Sequence, residues 1–216
     1  MGRTRLSRER LTEIKRVNIG RIIIFCEGVT EKLYLDYFAK IINGNKFTDI
    51  RIETQSADGN SRTVYKYAEE FLEEEEHNRE YSNYQKYLVF DCDDPPDIQQ
   101  VILDMQGSDK GYSLIVSNLL FELWLLMHFE SIQERMGKKA IYERLSDHLN
   151  EKYKKADSGI IREIINNGNL EDAIKNGDQL AKKYRRMKKR IYTNIEEMNP
   201  YTNIYTLIEQ FLAEMS

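Results

Sequence analysis

Residues 22 to 31 read Ile22-Ile23-Ile24-Phe25-Cys26-Glu27-Gly28-Val29-Thr30-Glu31, and this stretch decides the fold. Five consecutive β-branched, aromatic and thiol side chains describe a strand buried on both faces, as in a parallel sheet covered by helices. Gly28 lets the backbone turn sharply where the strand ends. Thr30 stands where an N-cap would open a helix, with Tyr34, Phe38, Ile41 and Ile42 marking one face. The alternation recurs downstream. Asp49 to Thr54 (DIRIET) alternates as a half-buried strand does, and Thr63 to Glu76 is helical through Val64, Tyr67, Ala68, Phe71 and Leu72. Tyr87 to Phe90 (YLVF) is a second buried strand, a short helix runs from Ile98 to about Met105, and Ser113 to Val116 is a fourth strand. The order βαβαβαβ predicts an α/β fold: a parallel sheet with helices on both faces and right-handed crossovers.

After Val116 the strand signals stop. Leu119 to Phe129 is apolar nearly all round, which predicts a buried helix. From Gly137 to Ser216 the pattern is helical, with one helix expected from about Leu170 to Asn194, a break at Pro200 and a last helix over Asn203 to Met215. The expected organisation is a basic arm over residues 1–20, an α/β domain over 21–130, and a helical region over 131–216 packed on it.

With 216 residues, 41% of them apolar, the chain is long enough to bury a core without disulfides or metal staples. No apolar stretch approaches the roughly 20 residues that span a bilayer. The basic N-terminus has no apolar segment behind it, so no signal peptide is expected. Cys26 and Cys92 are the only cysteines and lack metal-motif spacing, which points to a reducing, cytoplasmic setting. The net charge of −4 is unevenly spread. Residues 1–21 hold seven basic and two acidic side chains, and Lys182-Lys183-Tyr184-Arg185-Arg186-Met187-Lys188-Lys189-Arg190 holds seven basic ones. Fields act locally, so an acidic total does not exclude a polyanionic partner. The run, interleaved with Tyr184 and followed by Tyr192, suits a phosphate backbone with stacked bases. It also suits a solvated helix face or a complement to the acids Glu73 to Glu76.

In parallel α/β sheets, ligands meet the protein just beyond the strand C-termini. Strand one ends in Glu27-Gly28-Val29-Thr30-Glu31, and the YLVF strand ends in Asp91-Cys92-Asp93-Asp94. If the second strand lies outside the first, Glu27 and Asp91 face each other across a topological switch point. Asp91 and Asp93, spaced i, i+2, project from the same side. Mg²⁺ takes oxygen ligands at about 2.0–2.1 Å, commonly one or two carboxylates plus substrate phosphate, and Mn²⁺ is an alternative. Gathered carboxylates repel one another without a cation. Glu27, Asp91 and Asp93 are therefore the metal-site candidates. Accessory candidates are Glu31, Asp94, Asn118, Glu122 and His128; Asn118 and Glu122 share a face at i, i+4. Glu122 reads either as an added ligand or as a solvated acid in the first turn of a helix, and His128 as a core-edge histidine. Nucleic-acid contacts are expected from Lys182, Lys183, Arg185, Arg186, Lys188, Lys189 and Arg190.

The E-G-x-T-E motif after strand one and the hydrophobic-D-x-D motif after a later strand resemble the TOPRIM domain of topoisomerases, primases and overcoming-lysogenization-defect nucleases. Glu27 to Tyr34, Phe90 to Asp94, Ser117-Asn118 with Phe121-Glu122-Leu123-Trp124 and His128-Phe129, and Asn199 to Asn203 resemble the RloB-like family of bacterial defence proteins. The resemblance implies a TOPRIM-like, Mg²⁺-dependent nuclease used in phage defence by abortive infection, beside an ATPase encoded nearby. It also implies proton transfer at Glu27 and metal ligation at Asp91 and Asp93. A tyrosine cleavage module of the topoisomerase kind and a primase zinc module are both absent from the sequence, which favours hydrolysis. The competing reading is a non-catalytic subunit that binds nucleic acid or a nucleotide and regulates the ATPase. A receiver-like domain fits the Glu27–Glu31 motif poorly.

Overall fold

A computed structural model describes residues 20–44, 48–54, 59–92 and 97–215. Strands β1 (Arg21–Cys26), β2 (Asp49–Thr54), β3 (Gln85–Asp91) and β4 (Ser113–Asn118) run parallel in the order β2-β1-β3-β4. A two-residue strand, β5 (Tyr201–Thr202), adds antiparallel to the end of β4. This is the expected α/β sheet with helices around it and a helical C-terminal region, except that a fifth strand appears where no strand was expected. The run Ile22 to Phe25 is wholly buried, as its unbroken apolar character requires.

Between the strands lie α1 (Val29–Ile42), α2 (Ser61–Glu73), α3 (Glu75–Tyr81) and α4 (Ile98–Gly107). The single helix expected over Thr63 to Glu76 is two, broken at Glu74. A continuous helix would crowd four acids, Glu73 to Glu76, at its negative C-terminal end. The break instead sets Glu75 and Glu76 in the first turn of α3, where the helix dipole favours them. Thr30 is not a cap: Gly28 takes that position, and the Thr30 hydroxyl accepts the backbone N–H of Ala156 at 3.0 Å.

Beyond β4 come α5 (Glu122–Leu126), α6 (Lys138–Leu149), α7 (Ser158–Asn167), α8 (Leu170–Arg186), α9 (Ile191–Asn194) and α10 (Ile204–Met215). The helix expected over Leu119 to Phe129 shrinks to α5. The Leu119 carbonyl accepts the N–H of Cys92 at 3.1 Å, which ties that residue to the sheet. The helix expected to reach Asn194 stops at Arg186, and the chain turns through Lys188 at φ 59°. No helix among the described residues is long and apolar enough to cross a membrane.

Two asparagine side chains finish the sheet. The Asn43 amide donates to the carbonyl of Ile50 and accepts its N–H, both at 2.8 Å, on edge strand β2. The Asn203 amide does the same for the N–H of Val116 and the carbonyl of Leu114 on β4, again at 2.8 Å.

His128 is a core residue. Its Nδ1–H donates to the Trp124 carbonyl, so its Nε2 accepts the Tyr34 hydroxyl, each at 3.0 Å. Burial holds its pKa down to about 4 from an ordinary 6.5, against the backbone carbonyls that favour the proton. The unfolded chain therefore takes up a proton first as pH falls. The stability this group contributes is intact above pH 6.5, drains away between about 6.5 and 4, and is gone below. At about 1.4 kcal/mol per unit, that amounts to about 3 kcal/mol. Urea unfolding of His128→Asn should start from a lower stability at pH 7 yet vary less between pH 6.5 and 4 than the wild type. Parallel pH profiles would show that His128 does not titrate this way.

Candidate active site

The sheet order places β1 beside β3, and this brings the first two site residues together. The β1–β3 ladder continues past Cys26, with the N–H of Glu27 donating to the Val89 carbonyl at 3.0 Å. Two residues further along β3, the N–H of Asp91 donates to Oε2 of Glu27 at 3.0 Å. Glu27 and Asp91 thus stand side by side at the carboxyl ends of neighbouring strands. Glu31, in the first turn of α1, is buried beside them. Gly28 makes room for it: a Cβ at that position would stand 2.8 Å from a Glu31 carboxyl oxygen. Gly59 brings the segment before α2 close over Glu27, since a Cβ there would lie 3.0 Å from the Glu27 carbonyl. Asp93 and Asp94 lie outside the described residues.

These residues open onto a cavity of about 270 Å³ lined by Glu27, Gly28, Val29, Thr30, Glu31, Gly59, Asp91, Lys138, Lys155 and Ala156. The last three come from the helical region. Lys155 was not anticipated; nothing in Glu151-Lys152-Tyr153-Lys154-Lys155-Ala156 distinguishes it from its neighbours. A cavity of about 290 Å³ beside Lys86 and Tyr81 lies at the opposite end of β3, away from these carboxylates.

Asp91 is 7% exposed. Burial first, then the negative charges of Glu31, Glu27 and Glu122, push its carboxyl well above the usual carboxylate range, against the pull of Lys155. The acidic donors that line the cavity, Glu27, Glu31 and Asp91, are carboxylate oxygens, the ligand type that a small hard cation such as Mg²⁺ takes. Among the described residues no three acidic, imidazole or thiol side chains stand close enough to hold a metal ion by themselves. Glu27 and Asp91 would supply part of a ligand set.

The accessory candidates separate. Glu122 is buried in the first turn of α5, so it is not a solvated acid. Its Oε1 accepts the Tyr153 hydroxyl at 3.0 Å and stands 3.4 Å from the Lys155 ammonium. Asn118, though buried, turns away from the carboxylates and donates to the Ile195 carbonyl at 2.6 Å. Neither Asn118 nor His128 lines the cavity.

The basic run is split. Lys182 pairs with Asp178 at 2.5 Å, Lys183 donates to the Gln133 carbonyl at 2.7 Å, and Lys189 pairs with Glu197 at 2.9 Å. Arg185, Arg186, Lys188 and Arg190 are exposed. Arg185, Lys189 and Arg190 border another cavity, of about 420 Å³, together with Tyr184, Tyr192, Tyr201 and Tyr205.

The fold and site define a parallel α/β protein with an acidic cavity at the switch point of its sheet. The family model for RloB-like protein matches residues 22–211, and the chain belongs to that family. No curated protein and no solved structure matches the chain.

Removing the Asp91 charge should relieve repulsion that folding otherwise has to overcome. Asp91→Asn in chelator is expected to raise stability at pH 7, since the amide carries no charge to be desolvated or to repel Glu31 and Glu27. Urea denaturation reads this directly. A lower midpoint in the variant would mean that the native site satisfies the carboxylate.

Proposed function

We propose that this protein is a Mg²⁺-dependent (or Mn²⁺-dependent) nuclease of TOPRIM type. On this reading it hydrolyses phosphodiester bonds of DNA or RNA in phage defence, with an ATPase encoded nearby. The observation that carries the reading is the convergence of Glu27 and Asp91 on one acidic cavity at the carboxyl ends of β1 and β3. Membership of the RloB-like family and the likeness of the E-G-x-T-E and D-x-D motifs to TOPRIM enzymes support it further.

Each residue has a chemical task on this reading. Asp91 and Asp93 hold the cation, which when bound supplies charge stabilisation on the phosphoryl oxygens. Glu27 accepts the proton of the attacking water, and the hydrogen bond from the Asp91 N–H to its Oε2 fixes the plane of its carboxylate. Glu31 adds negative charge that strengthens the demand for a cation. The exposed Arg185, Arg186, Lys188 and Arg190, with Tyr192 beside them, serve as an outlying contact for the phosphate backbone.

Glu27→Gln keeps the size and the acceptor for the Asp91 N–H but cannot take a proton. Metal-dependent cleavage of labelled DNA or tRNA pools should fall by roughly 10²–10⁴-fold, the usual reach of a general base. Calorimetric titration with Mn²⁺ should show much the same binding in this variant and none in the Asp91→Asn, Asp93→Asn pair. Metal binding lost in Glu27→Gln would make Glu27 a ligand first. If the wild type fails to cleave even when its ATPase is supplied, the chain is a non-catalytic binding subunit.

A further inference from the structure

Two lysines of the helical region line the acidic cavity, Lys138 and Lys155, and the second is held in place by its surroundings. Lys155 lies in the segment between α6 and α7, which is fastened at several points. The N–H of Ala156 donates to the Thr30 hydroxyl at 3.0 Å, and the N–H of Tyr153 donates to the Ser146 hydroxyl at 2.9 Å. Asp157 caps α7 by accepting the N–H groups of Gly159 and Ile160. The chain passes through left-handed conformations at Asn150 (φ 55°) and Ala156 (φ 56°), neither of which is glycine. These constraints carry the Lys155 ammonium to 3.4 Å from Oε1 of Glu122. Glu122 is buried, its Oε1 also accepts the Tyr153 hydroxyl, and its Oε2 has no hydrogen-bond partner among the described residues.

A buried carboxylate needs a counter-charge, and Lys155 provides it. That role alone does not account for where the lysine stands. Its partner's side chain is 1% exposed, whereas 49% of the Lys155 side chain is open, and it lines the same cavity as Glu27 and Asp91. A phosphodiester entering that cavity meets the negative charges of Glu27, Glu31 and Asp91. An anchored cation on the cavity wall offsets that repulsion and fixes where a phosphate sits. Lys152 and Lys154, on either side of Tyr153, are exposed and do not line the cavity.

We propose that Lys155 is a phosphate-binding group of this site, its ammonium taking a non-bridging oxygen of the bound phosphodiester, with Glu122 and Tyr153 as the residues that position it. The inference rests on reading the cavity as a nucleic-acid phosphate site, but not on hydrolysis.

The test is binding of a labelled single-stranded oligonucleotide to the full chain, with Ca²⁺ in place of Mg²⁺ to suppress cleavage, followed by fluorescence anisotropy across a salt series. Lys155→Met should weaken binding about tenfold at low salt. It should also lower the slope of log K against log[salt] by about 0.7, the counterion release of one phosphate contact on a single strand. Lys155→Arg should keep the slope, and Tyr153→Phe should weaken binding while leaving the slope nearly intact. The double variant Glu122→Gln, Lys155→Met removes both charges, so it should recover stability lost in the single variant without recovering the oligonucleotide. The double variant also carries the test if Lys155→Met alone does not fold. Wild-type affinity and slope in Lys155→Met, full binding in the double variant, or no oligonucleotide binding by the wild type would each overturn the proposal. A wild type that binds with the expected Lys155 dependence but never cleaves would end the nuclease reading alone.

Discussion

One hydrogen bond sets the geometry on which the site depends: the backbone N–H of Asp91 on Oε2 of Glu27, between residues 64 positions apart. It exists because β2 pairs on the outer side of β1, leaving the inner side of β1 to β3. Had β2 been inserted between them, the two strand ends would stand about 10 Å apart, twice the spacing of neighbouring strands. The buried Ile22–Phe25 run makes β1 a central strand, and a central strand can present its C-terminal residue only to its two neighbours. The acidic cavity thus follows from the strand order.

The cavity is also where the fold is least comfortable. Burial of Asp91 beside Glu27 and Glu31 works against folding, and its carboxyl responds by holding its proton more tightly. The helical region answers part of this charge. Lys155 is held above the usual lysine range: burial opposes its charge, but Glu122, Tyr142 and Asp91 outweigh it. The same region also fastens itself to the first motif through Thr30. The residues up to Glu122 supply the acids and the helical region beyond supplies the lysine, so neither part contains the whole arrangement.

Much of the sheet was legible because its signals are local. β-branched runs bounded by polar turns need no distant partner to be recognised, and β2 has the bounds that DIRIET predicts. The placement of Glu27 and Asp91 was legible too, once alternation implied a parallel sheet. What escaped depends on contacts remote in sequence. Lys155 looks like Lys152 and Lys154 until the fold carries it to Glu122. The strand Tyr201–Thr202 is too short for any periodicity and exists only because β4 offers an edge. The Glu122 side chain reads as a first-turn acid from its own helix, and only Tyr153 and Lys155 reveal why it can be buried. The helix ending at Arg186 was overextended because seven basic residues are good helix formers, and the turn at Lys188 has no sequence signature.

Asn43 and Asn203 bear on how another molecule can approach. Edge strands with open backbone groups invite a further strand from another chain. Here a carboxamide, itself a peptide group in miniature, occupies both polar groups of Ile50 on one border and those of Val116 and Leu114 on the other. An incoming strand would have to evict a side chain already bonded at both ends before it gained a single bond of its own. The sheet is closed to lateral growth at these positions, which leaves helices and the acidic mouth as the ways in.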